Sequence, residues 1–276
     1  MTGKSDDEII RAFAVFFEGM LAALRSAKAR VPPERLQEIV AGALLSKVLR
    51  LGDAVHALCV GRHGNDTGLL LRTELLAYAN LKFIAAHTNP EGAALRFMSH
   101  IRHVRGQIEP HLVRPDVEGE GFPVQTPEAW AEDEKELGER WDRIGQYVAD
   151  NSIVELVPER PVDANGKRPK PLDWSWSGLS ECELFAAIGD LDAYRYYAWF
   201  SNEVHSNVVG IGDLISQINE GRIDINDERD FTRGPPTMAA KYIVLSLEAY
   251  DALLKLGIAA KIEQTSDAFS AVIRGS

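Results

Sequence analysis

The chain has 276 residues, of which 45% are hydrophobic and 26% charged, and its formal net charge is −11. Those proportions exclude global disorder, and the acidic balance opposes unspecific nucleic-acid binding while leaving room for a local basic patch. Cys59 and Cys182 belong to no Cys-x-x-Cys or Cys/His cluster, which excludes a disulfide scaffold and predicts reduced thiols in a cytoplasmic compartment.

The opening stretch MTGKSDDEIIRAF carries no signal-peptide pattern, and no run of about 18 uncharged apolar residues occurs anywhere, so no membrane span is expected. Residues 6–29 place Ile9, Ile10, Phe13, Phe16, Phe17, Met20, Leu21 and Leu24 at helical spacing. Pro32 and Pro33 suit the first turn of a second helix that runs to about residue 61, with Leu36, Ile39, Val40, Leu44, Val48, Leu51, Val55 and Leu58 inward. Asn65 or Asp66 then caps a third helix, GLLLRTELLAYANLKFIAA, which is apolar nearly all round and so belongs in the centre of a bundle. Asn89-Pro90-Glu91 starts a fourth helix over about 90–112, and Thr126-Pro127-Glu128 a fifth over about 127–150.

Residues 151–179 hold Pro158, Pro161, Pro169 and Pro171, a density that blocks helix and central strand alike. Here a long irregular connection is expected, with short edge strands near Ile153–Val157 and a far end pinned by Trp174 and Trp176. Ser180-x-x-Glu183 reads as a capping box for a short helix that Gly189 ends, followed by a longer one from Asp190 to at least Ser206. Pro235-Pro236 launches a last helix over about 237–263. The sum is an all-α multi-helix bundle over residues 1–276, with an irregular Pro-rich insertion at about 113–179 and a flexible tail after 264.

Three constellations carry chemistry. Arg72 and Glu74 are charges in an apolar helix, where burial is expensive unless they are paired. They point about 200° apart on the helical wheel, so they do not share one face. In AYRYYAWFSNEVHSN, Tyr194, Tyr197, Ser201 and His205 are spaced by three, four and four and share a face. Ser201 and His205 can bond directly, half of a nucleophilic arrangement that Glu74 would complete. His205 also suits general acid/base work, with Ser201 and Tyr197 beside it and Asn202 as a binding group. On the fourth helix Arg96, His100, His103 and Gln107 form a locally basic face suited to phosphate or RNA backbone. No cluster of metal ligands and no phosphate-cradling glycine loop is present, so neither a metal nor another cofactor is expected.

LLLRTELLAYANLKFI, WSWSGLSECELFAAIG and AYRYYAWFSNEVHSN follow one another in that order. The sequence thereby resembles, over about residues 40–215, a bacterial family of helical proteins known only as a domain of unknown function. The resemblance implies an all-helical fold, marks Arg72, Glu74, Trp176, Tyr197, Ser201 and His205, and brings no activity. A more distant similarity is to HEPN-type helical ribonucleases, which pair an Arg with a His on one helix with four to six residues between them. Arg195 and His205 stand too far apart for that pattern, Asn202-Glu203-Val204-His205 has no adjacent Arg, and Arg96 with His103 fits the spacing.

Three readings follow. The first is a polar pocket for a small or phosphorylated ligand around Tyr197, Ser201, His205, Trp176 and one of Arg72 or Glu74. The second is a non-catalytic interaction module, homodimeric if one helix exposes an apolar strip. The third is a metal-independent ribonuclease acting on RNA in defence or as a toxin.

Overall fold

The structure, a computed structural model, describes residues 5–27, 35–98, 100, 175–204 and 234–275. Every regular element among them is a helix, so the fold is all-α. The expected fifth helix, the edge strands near Ile153–Val157, Trp174 and the continuation past Ser206 lie outside the described residues.

Helix α1, Asp6–Ser26, begins at a capping box: the Ser5 backbone N–H donates to Glu8 Oε2 at 2.9 Å and the Ser5 hydroxyl accepts the Glu8 N–H. Its buried stripe is Ile9, Ile10, Phe13, Phe16, Met20 and Ala23. Helix α2, Leu36–Val60, buries Glu38, Val40, Ala41, Leu44, Leu45, Val48, Gly52, Val55 and Cys59. Ile39, expected inward, is 43% exposed, whereas Glu38 is buried. Glu38 tolerates that position because Arg35, one turn earlier, pairs with it at 2.7 Å. The expected cap at Asn65 or Asp66 is replaced by a 3₁₀ turn, Gly64–Thr67, which runs straight into α3, Gly68–Ala86. The buried Thr67 hydroxyl closes that turn by donating to the Gly64 carbonyl at 2.7 Å.

Residues 90–98 form α4, whose Asn89 side chain accepts the Gly92 N–H at 2.9 Å. After the bend at 175–180 come α5, Glu181–Ala187, and α6, Leu191–Val204. Gly189, at φ 72°, turns the chain between them. Asp190 caps α6, accepting the Ala193 N–H at 3.0 Å.

The expected last helix is two helices. α7, Gly234–Leu254, stops at a turn in which Lys255 and Gly257 take φ 56° and 71°, and α8, Ala259–Arg274, follows. Asp251 secures the break by accepting the Ile258 N–H at 3.3 Å. The tail expected to be flexible after Gln264 is therefore helical. Its Phe269 is buried, with ring centroids 5.0 Å from Phe16 and 6.1 Å from Phe13.

The chain divides into two compact units, residues 1–86 with 181–276 and residues 87–180. In the larger unit α3 is central, packed by α2, α6 and α7, while α1 and α8 pack on each other. A side-chain carbon at Gly52 would sit 2.6 Å from Ile243 Cδ1, and one at Gly42 would sit 3.4 Å from the Tyr250 hydroxyl. Helix α7 thus runs antiparallel to α2. The smaller unit stacks Phe97 edge-on against the buried Trp176 at 5.1 Å. Among the described residues no helix is long and apolar enough to cross a membrane.

Replacing Phe269 by Ala removes a buried ring and should lower stability by about 3 kcal/mol. Urea unfolding reads this directly. A loss under about 1 kcal/mol would mean that α8 does not carry packing energy.

Candidate functional site

Helix α3 is buried on most sides, so each of its polar side chains must find a partner within the bundle or lose hydration. Arg72 finds two on α6. Its Nε donates to Ser201 Oγ at 2.8 Å and an Nη to the Tyr197 hydroxyl at 3.1 Å, with the guanidinium carbon 5.0 Å from the Tyr197 ring centroid. Ser201 in turn donates to the Tyr197 carbonyl at 2.9 Å. The serine proton is therefore spent on the backbone, and the hydroxyl acts as a fixed acceptor for the arginine rather than as a poised nucleophile.

Tyr197 is buried and held by rings on both sides: Phe185 of α5 at 5.6 Å and Tyr194 at 6.3 Å. Burial, and then the charge of Glu181, push its pKa up, while Arg72 and Ser201 pull it down. The net shift is upward, so the phenol keeps its proton at neutral pH and can donate it while accepting from Arg72.

A second link sets the register of α6 on α3. The Tyr78 hydroxyl donates to Asp190 Oδ2 at 3.0 Å and accepts from Lys82 Nζ at 3.1 Å. The other Asp190 oxygen caps α6. Asp190 thus fixes the N-terminal end of α6 near Tyr78, and Arg72 grips the helix three turns later. Burial, and then Asp190, raise the Tyr78 pKa, so it too stays protonated.

Glu74 faces elsewhere. It is 0% exposed, and neither carboxyl oxygen has a hydrogen-bond partner among the described residues. Burial holds its pKa well above the ordinary value of 4.5, which favours a neutral acid. On helix α7, the Tyr242 hydroxyl and Ser246 Oγ are likewise buried without partners among the described residues. Burial foremost, with Asp190 next and Glu74 among smaller contributors, raises the Tyr242 pKa. The Tyr78 and Tyr242 rings meet at 5.2 Å between α3 and α7.

The structure therefore brings Arg72, Tyr197 and Ser201 together and leaves Glu74 apart from them. Trp176 belongs to the smaller unit, as does Arg96, which is half-buried with a pKa lowered by desolvation. His100 lies in that unit and has interaction partners of its own. His103, His205 and the Asn202 side chain lie outside the described residues. Sequence reasoning did not assign site roles to Asp190, Tyr78, Lys82 or Glu181. Asp190 left a signal, an acid directly after a helix-ending glycine, whereas the others need the packing. Among the described residues no group of three or more His, Cys, Asp or Glu could hold a metal ion.

These observations define a helical-bundle protein whose inner helices are joined through a half-buried arginine and a tyrosine–serine step. The chain belongs to the family of unknown function DUF5677, whose model matches residues 38–222, a stretch that contains all but the first two residues of α2, then α3 through α6, and all three of Arg72, Tyr197 and Ser201. No curated protein and no solved structure matches it significantly.

The buried Glu74 makes stability depend on pH. Its folded pKa lies above the unfolded value, so its contribution is complete below about pH 4.5 and is lost as pH rises toward the folded pKa. Urea unfolding of wild type and Glu74→Gln between pH 4.5 and 8 should show the variant gaining steadily on the wild type. A constant gap across that range would contradict a neutral, buried Glu74.

Proposed function

We propose that this protein binds a small anionic ligand, a carboxylate or phosphate, at Arg72, with Tyr197 and Ser201 as its orienting groups. The observation that carries the reading is the state of the guanidinium. It is half-buried, held by two neutral oxygens, and forms no ion pair among the described residues. A guanidinium has five N–H donors, and three of these find no acceptor among the described residues. A fixed fork of unspent donors in a partly desolvated place is suited to bidentate anion recognition. The Tyr197 proton supplies one further donor.

The carboxylate nearest in sequence, Glu74, supports the same reading by its placement, because it points away and does not neutralise Arg72. A non-catalytic interaction module is the second reading. It is favoured by the outer side of α6, where Leu191, Tyr196 and Trp199 are 51%, 44% and 58% exposed. The ribonuclease reading gains nothing from the described residues, since His103 and His205 both lie outside them.

Acetate is a sufficient probe. Followed by ¹H–¹⁵N spectra, it should shift the Arg72 Nε–H signal with a Kd on the order of 10 mM, as befits a four-atom ligand. Arg72→Gln should weaken binding at least about tenfold, the loss of one charge-assisted pair. Ser201→Ala keeps the charge but frees the fork, and should fall between the two. Absence of any acetate-dependent shift at Arg72 in the folded wild type would overturn the anion reading and leave the interaction module.

A further inference from the structure

Helix α6 has two faces of different chemistry. Ala193, Tyr197 and Ser201 turn inward, the last two onto Arg72. Leu191, Asp192, Arg195, Tyr196 and Trp199 fall within about 140° of one another on the opposite side. All five are exposed, Trp199 at 58% the most among the apolar ones. A strip of this composition is uncommon on a helix that meets only water, and Trp, Tyr and Arg are the side chains that most often carry binding energy between proteins.

Its charges select the occupant. The chain carries −11, so two copies repel one another on average, yet the strip is neutral, with Arg195 and Asp192 paired at 2.9 Å. Their order along the helix matters more. From the N-terminal end the strip runs apolar, acid, base, apolar: Leu191, Asp192, Arg195, Tyr196. That order is its own complement when reversed. In a second α6 laid antiparallel about a two-fold axis between positions 193 and 194, Asp192 of each copy meets Arg195 of the other, and Leu191 of each meets Tyr196 of the other. A parallel approach sets acid on acid and base on base. We infer that the outer face of α6 is a homodimer interface, in which two copies pack antiparallel through Leu191, Tyr196 and Trp199 and pair Asp192 with Arg195 across the axis. The pair within one copy is no obstacle, because its side chains are 71% and 81% exposed and such contacts are weak. One helix face of this length buries on the order of 1,000 Å² in a pair, the small end of specific interfaces, so a Kd of about 10–100 µM is expected. The inference uses the side of α6 opposite to Arg72 and is independent of the anion reading.

Sedimentation velocity of the full chain without ligand, from about 1 to 300 µM, should show passage from monomer to dimer. Trp199→Ser should weaken association at least about tenfold. Asp192→Arg and Arg195→Asp, each alone, set like charges across the axis and should weaken it at least about fivefold, whereas the two together restore opposite charges and should return it to within about twofold of wild type. Asp192 lies in the first turn of α6, where a cation opposes the helix dipole, so an equimolar mixture of the two single variants is a second measurement. The mixture should associate more tightly than either variant alone. A wild type still monomeric at about 300 µM overturns the inference and leaves the face to a different partner. A dimer that neither Trp199→Ser nor the single reversals weaken uses another surface and overturns it equally. So does a double variant no tighter than the single ones, which denies the antiparallel register. No anion is added, so none of these outcomes bears on the acetate titration.

Discussion

A guanidinium placed in the wall of an apolar helix bundle must be hydrogen-bonded or it destabilises the fold, and Arg72 meets that demand by gripping α6. Its bonds to Ser201 Oγ and the Tyr197 hydroxyl are charge-assisted, a class worth about 1.5–3 kcal/mol each when broken one at a time. Because a planar fork accepts only a narrow range of approach, they also fix the rotation of α6 about its own axis. The ring of Tyr197 below the guanidinium and the ring of Phe185 behind Tyr197 restrict what remains. The Arg72–Tyr197–Ser201 cluster is therefore a product of the same contacts that pack the helices.

The opposite end of α6 is fixed by chemistry of another kind. Asp190 divides its two oxygens between the helix N-terminus and the Tyr78 hydroxyl, so a carboxylate that would otherwise be only a cap becomes a cross-link between helices. With α6 tied to α3 at both ends, Tyr197 and Ser201 have little freedom to move relative to Arg72. Ties at both ends of this sort hold the Arg72 guanidinium in one direction relative to α6. Glu74 stands in contrast, since its buried carboxyl has no hydrogen-bond partner among the described residues and burial raises its pKa, which favours the neutral acid.

Much of this was legible in the sequence. Helical periodicity located α1, α2, α3 and α6, and the all-round apolar character of GLLLRTELLAYANLKFIAA placed α3 in the middle. The four-residue step from Tyr197 to Ser201 put both on one face, and the roughly 200° between Arg72 and Glu74 separated those two. What was not legible depends on packing. Which of Glu38 and Ile39 turns inward is decided by a salt bridge to Arg35, which periodicity cannot weigh. The break at Lys255–Ile258 rests on a left-handed glycine and an Asp251 side chain inside an otherwise continuous apolar pattern. The contact of Phe185 with Tyr197 follows from how α5 folds back over α6, and no spacing rule joins those two residues across a turn.

The central claim is that Arg72 is held to α6 by Ser201 and Tyr197, and a double-mutant cycle measures that hold. Arg72→Met and Ser201→Ala, singly and together, would be compared by urea unfolding at neutral pH. The account predicts a coupling of at least about 1 kcal/mol between the two sites. Changes that add to within about 0.3 kcal/mol would contradict it, because two side chains in contact through a charge-assisted bond do not behave independently.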